Sequence, residues 1–423
     1  MPPLIPHVHN HVNQRPRITF VEEFYYPEGW GGAQIPRDIT ADLAISGYDV
    51  TVVCGEDQYL FVDGDAALDP RTVGVGIRYV PRSRFSDGNR KGVLAQLWFC
   101  AASMWRIDCW RRPSLFICQT NPPLMIIALA LVACVLGRPL IIIAQDIYPE
   151  VMVAHGMLRN RSVTGTLLGI LFRWAYKRAA RVVSLGPKMT NRLRAKGVSA
   201  ARICEISNWA TGDLSVARGS ANSLLREWGL SANFVLLYSG NLGVAHDSET
   251  VLRAVAAAKI HLPQLRLVLI GKGALIEQAM EMAQSLGISE YVQCRSPVHL
   301  DLLPQTLGIA DLALVTLLPG FEGLVVPSKL LGHMARGIPT LYVGPKDSDV
   351  AEVISRSSGG IVVGNGEVEI LATRLVALAS DREQLRRMGD SAARFYTENL
   401  AREIGLSRYR SVVKDVLDGR HRS

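Results

Sequence analysis

Cysteine is sparse and unpaired in this chain: the seven cysteines, at 54, 100, 109, 118, 134, 204 and 294, include no C-x-x-C pair. That argues against a zinc site and a disulfide framework, and their mostly apolar neighbours mark them as small core side chains of a reducing compartment. Long hydrophobic runs are missing too. The longest, from Leu124 to Leu136, stops at Gly137-Arg138-Pro139, short of the roughly 20 residues that a membrane-spanning helix needs. It reads as a buried helix leading into a strand. The N-terminal MPPLIPHVHNHVNQRPR lacks the apolar segment of a signal peptide. Despite the alternating His7, His9 and His11, residues 1–16 read as a disordered tail. Aromatics make up only 7% and charged residues 20%, against 48% hydrophobic, over 423 residues. Such a chain is neither disordered nor fibrous; it can bury two cores, in two domains of roughly 200 residues each.

Acid is scarce in one stretch. The whole chain carries 46 Lys and Arg against 38 Asp and Glu, a net charge of +8. Residues 1–215 hold 24 basic and 17 acidic side chains, whereas the remainder is about neutral. Within 92–200 there are 14 basic residues against Asp108, Asp146 and Glu150 alone. Two electrically different halves suggest that one of them faces an anionic surface or partner. No nucleic-acid motif accompanies the charge, so nucleic acid is not expected as the partner. Trp98 and Trp105 lie a heptad apart beside Arg106, Arg111 and Arg112, and 171–181 adds Phe172, Arg173, Trp174, Lys177, Arg178 and Arg181. Both segments suit peripheral contact with an anionic membrane. A helix whose tryptophans pack against the core is the competing reading.

Short β-branched or apolar runs alternate with helical patterns along the whole chain. Strands are predicted at 17–22, 49–54, 77–81, 115–119, 140–145, 181–185 and 203–206, with helices near 36–46, 91–110, 122–136, 163–179 and 187–196. After a polar stretch at 210–223 a second series begins, with strands at 234–239, 265–270, 292–294, 312–315, 340–343 and 360–363. Its helices fall at 247–259, 275–286, 367–380, 382–396 and 400–418. Such alternation predicts an α/β fold: two doubly wound domains, 17–212 and 213–398, with 399–423 forming a helix that packs back on the first. Ligands of such domains sit at the carboxyl ends of the strands, which places the site in the cleft between them.

Four loops carry the chemistry. The first, 24–33, contains Glu28, Trp30, Gly31 and Gly32 directly after a strand; its glycines match a dinucleotide fingerprint poorly but let backbone approach a ligand. The second, Gln145-Asp146-Ile147-Tyr148-Pro149-Glu150, follows an almost wholly apolar strand, so its polar side chains point into the cleft. Asp146 is a rare acid in basic surroundings; His155 is a weaker candidate. The third, 238–247, places Gly240, Asn241 and Gly243 at a strand-to-helix turn that suits a diphosphate, with His246 either a ligand contact or a helix-start residue. The fourth, 320–339, contains Glu322 and then Pro327 and Ser328 as a helix start, so Lys329 lies in the first turn. A cation there opposes the helix dipole and makes sense if it meets a bound anion. Gly271-Lys272-Gly273 has the wrong spacing for a phosphate loop.

In order and over nearly the whole chain, these loops resemble F-P-P-E…G-G, Q-D-x-x-P-E, Y-S-G-N-L-G-x-A-H and P-S-K-L-x-x-x-x-A-x-G-x-P. Asn208-Trp209 and Ser348-Asp349 add further matches. The set resembles the retaining nucleotide-sugar glycosyltransferases of family 4, particularly the branch that assembles bacterial surface polysaccharides. The resemblance implies the GT-B architecture, two facing Rossmann-like domains with an interdomain cleft. It implies a nucleotide-sugar donor held by Gly240, Asn241, Gly243, Pro327, Ser328 and Lys329. Asp146 would lie on the acceptor side with the Gly31-Gly32 loop, together with Glu28, Gln145 and Glu150. The acceptor would be a lipid-linked oligosaccharide or a saccharide, with the enzyme cytoplasmic or peripheral on the inner membrane face. Neither cofactor nor metal is implied.

Two departures stand out. The family's pair of glutamates would fall at Leu324 and Gly332, and both are absent, leaving Glu322 as a displaced candidate. The Arg and Lys after the third loop are missing as well, with His246 nearest and Lys272 or Arg295 as other sources of charge. A nucleotide-sugar 2-epimerase of the same architecture, or a degenerate non-catalytic partner subunit, are the alternatives.

Overall fold

A computed structural model describes residues 15–25, 31–56, 69–81, 93–107, 113–159, 162–211, 222–271, 273–298 and 302–420. The first sheet is built from β1 (Arg17–Glu22), β2 (Asp49–Gly55), β3 (Gly76–Val80), β4 (Leu115–Gln119), β5 (Leu140–Ile143), β6 (Arg181–Ser184) and β7 (Ile203–Glu205), in the order β3-β2-β1-β4-β5-β6-β7. The second is built from β8 (Phe234–Ser239), β9 (Leu265–Ile270), β10 (Val292–Arg295), β11 (Leu312–Thr316), β12 (Thr340–Val343) and β13 (Gly360–Val363), in the order β10-β9-β8-β11-β12-β13. Every pairing between these strands is parallel. Buried runs such as Leu140-Ile141-Ile142-Ile143 form the central strands because both faces of a parallel sheet are covered by helices.

Helices α1 (Gly31–Ile45), α2 (Val93–Arg106), α3 (Pro123–Val135), α4 (Glu150–Ala154), α5 (Val163–Arg178) and α6 (Pro187–Ala195) accompany the first sheet. Then follow α7 (Asn222–Glu227), α8 (Ser248–Ala258), α9 (Ala274–Ser285), α10 (Leu303–Leu307), α11 (Lys329–Ala335), α12 (Asp349–Ser357), α13 (Val368–Ser380), α14 (Arg382–Asn399) and α15 (Arg402–Leu417). Side chains from α2, α3, α5 and α6 form one core with one face of the first sheet. The other face is covered by α1 and α15, whose Leu406, Tyr409 and Val413 join Trp209 there. Arg402 and Arg410 of α15 reach Asp38 and Asp42 of α1 at 2.8 and 2.5 Å.

The structure corrects several boundaries. Helix α1 starts at Gly31, five residues before the expected 36, and keeps Pro36 inside it, forgoing one i→i−4 hydrogen bond. Strand β5 ends at Ile143, before Gln145. The short helices α4, α7 and α10 are too brief for periodicity to reveal, whereas α12, nine residues long like α6, lies where no helix is predicted and starts on a Ser348 side-chain cap. The 124–136 run is a helix but not a wholly buried one: Val135 is 77% exposed. Trp105 is 90% exposed, so it does not face the core.

The two domains touch along one side of the cleft. Asp146 forms an antiparallel bridge with Val325, and Ile147 N donates to the Leu324 carbonyl at 3.0 Å. Asp349 Oδ1 accepts from Lys188 N at 2.8 Å, so a carboxylate of the second domain caps the first turn of α6 in the first. Lys188 also pairs with Asp347, and Arg192 Nη2 donates to the Glu322 carbonyl at 3.0 Å.

Candidate active site

The loop 145–150 follows β5 and is fastened by a residue outside the sequence motifs. Thr120, buried at the end of β4, accepts through Oγ1 from the backbone N–H of both Gln145 and Asp146, at 3.0 and 3.1 Å. Gln145 and Asn208 form a reciprocal amide pair: Asn208 Nδ2 donates to Gln145 Oε1 at 2.8 Å, and Gln145 Nε2 donates back at 3.3 Å. Burial pushes the Asp146 carboxyl up to about 6, against a smaller lowering by its hydrogen bond with Tyr148. Glu150 is committed elsewhere, its Oε1 accepting from Lys196 Nζ at 2.6 Å.

On the second domain, two glycine turns meet backbone to backbone. A Cβ on Gly271 would lie 2.1 Å from the Gly240 carbonyl oxygen, and one on Gly273 2.3 Å from that of Leu242. Across this platform lies Lys329: a Cβ on Gly240, whose φ is +129°, would come within 2.5 Å of its Cε. The Lys329 ammonium sits 5.0 Å from the centre of the Tyr238 ring. Among the described residues no carboxylate lies within ion-pair distance of it. Burial pulls this ammonium down to about 8.

His246 has a different character from that charge. Its Nδ1 donates to the Thr316 carbonyl at 2.9 Å, which leaves Nε2 as an acceptor. Burial, and then the Lys329 charge, lower it to about 4, so it is neutral at physiological pH. Asp247 begins α8, accepting from Thr250 N at 3.0 Å.

The contacts thus join the second, third and fourth loops. Gly31 and Gly32 open α1, while Glu28 and Lys272 lie outside the described residues. Pro327 and Ser328 lead into α11, and Ser328 makes no side-chain cap bond. Arg295 is turned to its own surroundings: its guanidinium lies 5.1 Å from the Trp228 ring centre and donates to Gln293 at 3.3 Å. The Glu322 carboxylate accepts from Gly320 N at 2.9 Å within its own turn.

The missing glutamates have a physical setting. Leu324 is buried in the first domain's core and serves as an apolar plug between the domains. At Gly332 an added Cβ would meet only Leu307 Cδ1, at 3.7 Å. Thr120, which anchors the Asp146 loop, and Leu324, which packs across the two domains, have structural places that the motifs did not signal. Thr120 was in reach of the same rule that singled out Asp146, a polar residue at the carboxyl end of a buried strand.

Two family models match in tandem, a glycosyl transferase 4-like domain over 31–209 and glycosyl transferases group 1 over 226–395. A Pseudomonas aeruginosa chain named as the glycosyltransferase WbjE is 28% identical over 312 residues, 73% of this chain and 76% of that one. An Escherichia coli K12 chain named as the colanic acid biosynthesis glycosyl transferase WcaI is 30% identical over 159 residues, 37% of this chain and 38% of that one. The crystal structure of Anabaena HepE in complex with UDP-glucose shares the fold, with a TM-score of 0.70 at 16% identity, over 94% of this chain and 99% of that one. Two facing parallel sheets, two matched domains in the same order and these relatives make the chain a member of the GT-B glycosyltransferases of the family 4 type.

Proposed function

We propose that this enzyme transfers a sugar from a nucleoside diphosphate donor, held on the second domain, to a lipid-linked or saccharide acceptor on the Asp146 side of the cleft. The product would be part of a cell-surface polysaccharide, as kinship to the colanic acid biosynthesis chain WcaI suggests. The observation that carries the reading is Lys329, a cation held over two touching glycine turns with no carboxylate partner among the described residues. A half-desolvated ammonium is costly unless an anion meets it, and a diphosphate fits both its charge and the small backbone around it. HepE, seen with UDP-glucose, favours a uridine donor.

In this reading the bond from the anomeric carbon to the diphosphate oxygen breaks while the acceptor oxygen attacks the same face, so configuration is retained. The acceptor proton passes to the departing phosphate oxygen. Lys329, with the backbone amides beyond Gly240, stabilises the charge that builds on the diphosphate. Gly240 itself is not available for this, because its N–H donates to the Ile270 carbonyl at 2.8 Å. Ser328 presents an uncommitted hydroxyl beside it, while neutral His246 offers an acceptor to a sugar hydroxyl. Asp146 as carboxylate orients the acceptor and faces the positive charge that develops on the sugar ring. The charge comes from protein groups, so no metal ion is required.

Thermal-shift measurements with UDP, GDP and ADP test the reading, since a ligand of the native state raises its melting point by mass action. One nucleoside diphosphate should raise it, and Lys329→Ala should abolish the rise. If none does, or if Lys329→Ala still transfers sugar at the wild-type rate, the assignment is wrong.

A further inference from the structure

The helices α2, α3 and α5 lie side by side over one face of the first sheet, and each is apolar on both sides. Inward, Phe99 of α2, Ile126 and Leu129 of α3 and Phe172 of α5 fill a common core. Outward, α5 shows Val163, Leu167 and Ile170, spaced i, i+4, i+7, with Val163 86% exposed. Helix α3 shows Leu131 and Val135, and α2 shows Leu94, Leu97, Trp98 and Trp105, again on one helical face. Because α2 packs on α3 and α3 on α5, the stripes lie next to one another.

Charge frames this patch with one sign. None of the three helices contains an aspartate or glutamate. Arg106 ends α2, and Arg173, Lys177 and Arg178 line the last turns of α5. Arg178 spans the gap between the helices, with Nη2 3.3 Å from Cys134 Sγ on α3. Elsewhere the pattern is absent: the exposed large apolar side chains described in the second domain, Val244, Ile260, Leu302 and Ile370, sit on separate elements.

We infer that the outer face of α2, α3 and α5 docks on an anionic lipid bilayer. Apolar stripes parallel to a surface, edged by cations with no acids, match the acyl boundary and the headgroup layer in turn. A second copy of this chain fits less well, because a symmetric contact would set the basic rim against itself. The docking is peripheral, since no helix among the described residues is long and apolar enough to cross a membrane. It also gives the cleft an orientation: α5 begins just after the 150–159 segment that continues from the Asp146 loop, and Met157 in that segment is exposed. A lipid-linked acceptor would therefore meet Asp146 from the membrane side, a deepening that rests on the proposed transfer reaction.

Co-sedimentation of the full chain with vesicles tests this surface. Binding is expected to an equimolar phosphatidylcholine–phosphatidylglycerol mixture, weaker to phosphatidylcholine alone, and reduced by salt. The double variant Leu167→Glu/Ile170→Glu should lower the bound fraction at least about tenfold. Ile260→Glu/Ile370→Glu on the second domain should leave it unchanged. The melting shift with UDP should be the same in all of these, which shows that the donor domain stays folded. Equal binding by both double variants, or no binding of the wild type to either vesicle, overturns the docking surface. So does a result in which the α5 variant only converts a dimer to a monomer. If none of UDP, GDP and ADP produces a shift while the vesicle results hold, the donor assignment fails and the docking surface stands.

Discussion

The two domains share one architecture and differ in what they turn outward. In the second, outward helix faces carry paired charges of both signs, such as Arg253 with Glu249 at 2.8 Å. In the first, one face of the sheet is closed by α1 and α15 with part-buried acid–arginine contacts, and the opposite face by helices that are apolar outside as well as inside. A parallel sheet demands only that both faces be covered. What the covering helices show to the outside is free to vary, and here that freedom separates a surface of paired charges from one of exposed apolar stripes. The cleft sides differ in the same spirit. The second-domain side is glycine backbone under a cation, and the first-domain side is Asp146, its backbone N–H held by Thr120 and its backbone bridged to Val325.

The largest expected effect tests the donor side. Lys329→Ala should lower kcat/KM by about 10²- to 10³-fold, measured as sugar release from the donor. Next comes a contrast within one turn. Gly240→Ala, at φ +129° and against Lys329 Cε, should cost more than about 1 kcal/mol of stability and the nucleotide melting shift, whereas Gly243→Ala, with nothing within 4 Å of the added Cβ, should leave the shift intact. Equal losses would show that the Gly240–Lys329 contact is not what matters.

Acceptor-side effects are expected to be smaller. Asp146→Asn should lower kcat about 10²-fold. The profile of kcat/KM against pH should rise through about 6 and fall through about 8. The rising limb is Asp146 losing its proton to become the carboxylate; the falling limb is Lys329 losing the charge that meets the diphosphate. The same sign makes UDP affinity fall as pH rises through about 8. Asp146→Asn should remove the acid limb only, and a limb that survives belongs to another group. Smallest is Thr120→Val, which keeps the shape but removes the acceptor for two amides; we expect about a tenfold loss in kcat with the donor melting shift unchanged.

Much of the fold was legible locally. Strands β1, β8, β9, β12 and β13 have the bounds that their apolar runs predict, because a parallel strand buried on both faces is a continuous apolar segment. The site was legible in part. Asp146 and Lys329 stand out by rule, a polar residue at a strand end and a cation at a helix start. By contrast, Glu150 looks the same in sequence but is tied to Lys196, and Arg295 looks like a spare cation but lies on Trp228. His246 had both readings open, and its hydrogen bond to the Thr316 carbonyl made it a neutral acceptor rather than a source of charge.

Composition and periodicity alone determined that there are two doubly wound domains, that basic charge gathers in 92–200, and that glycine turns follow the strands. Each of these is written in neighbouring residues, with a period of two or of 3.6. Only the tertiary structure decided that Leu324 fills a core in the other domain, that Asp349 caps α6 across the cleft, and that the apolar run 124–136 leaves one side uncovered. Periodicity tells which side chains share a face; it carries no record of what, from a hundred or more residues away, comes to cover that face.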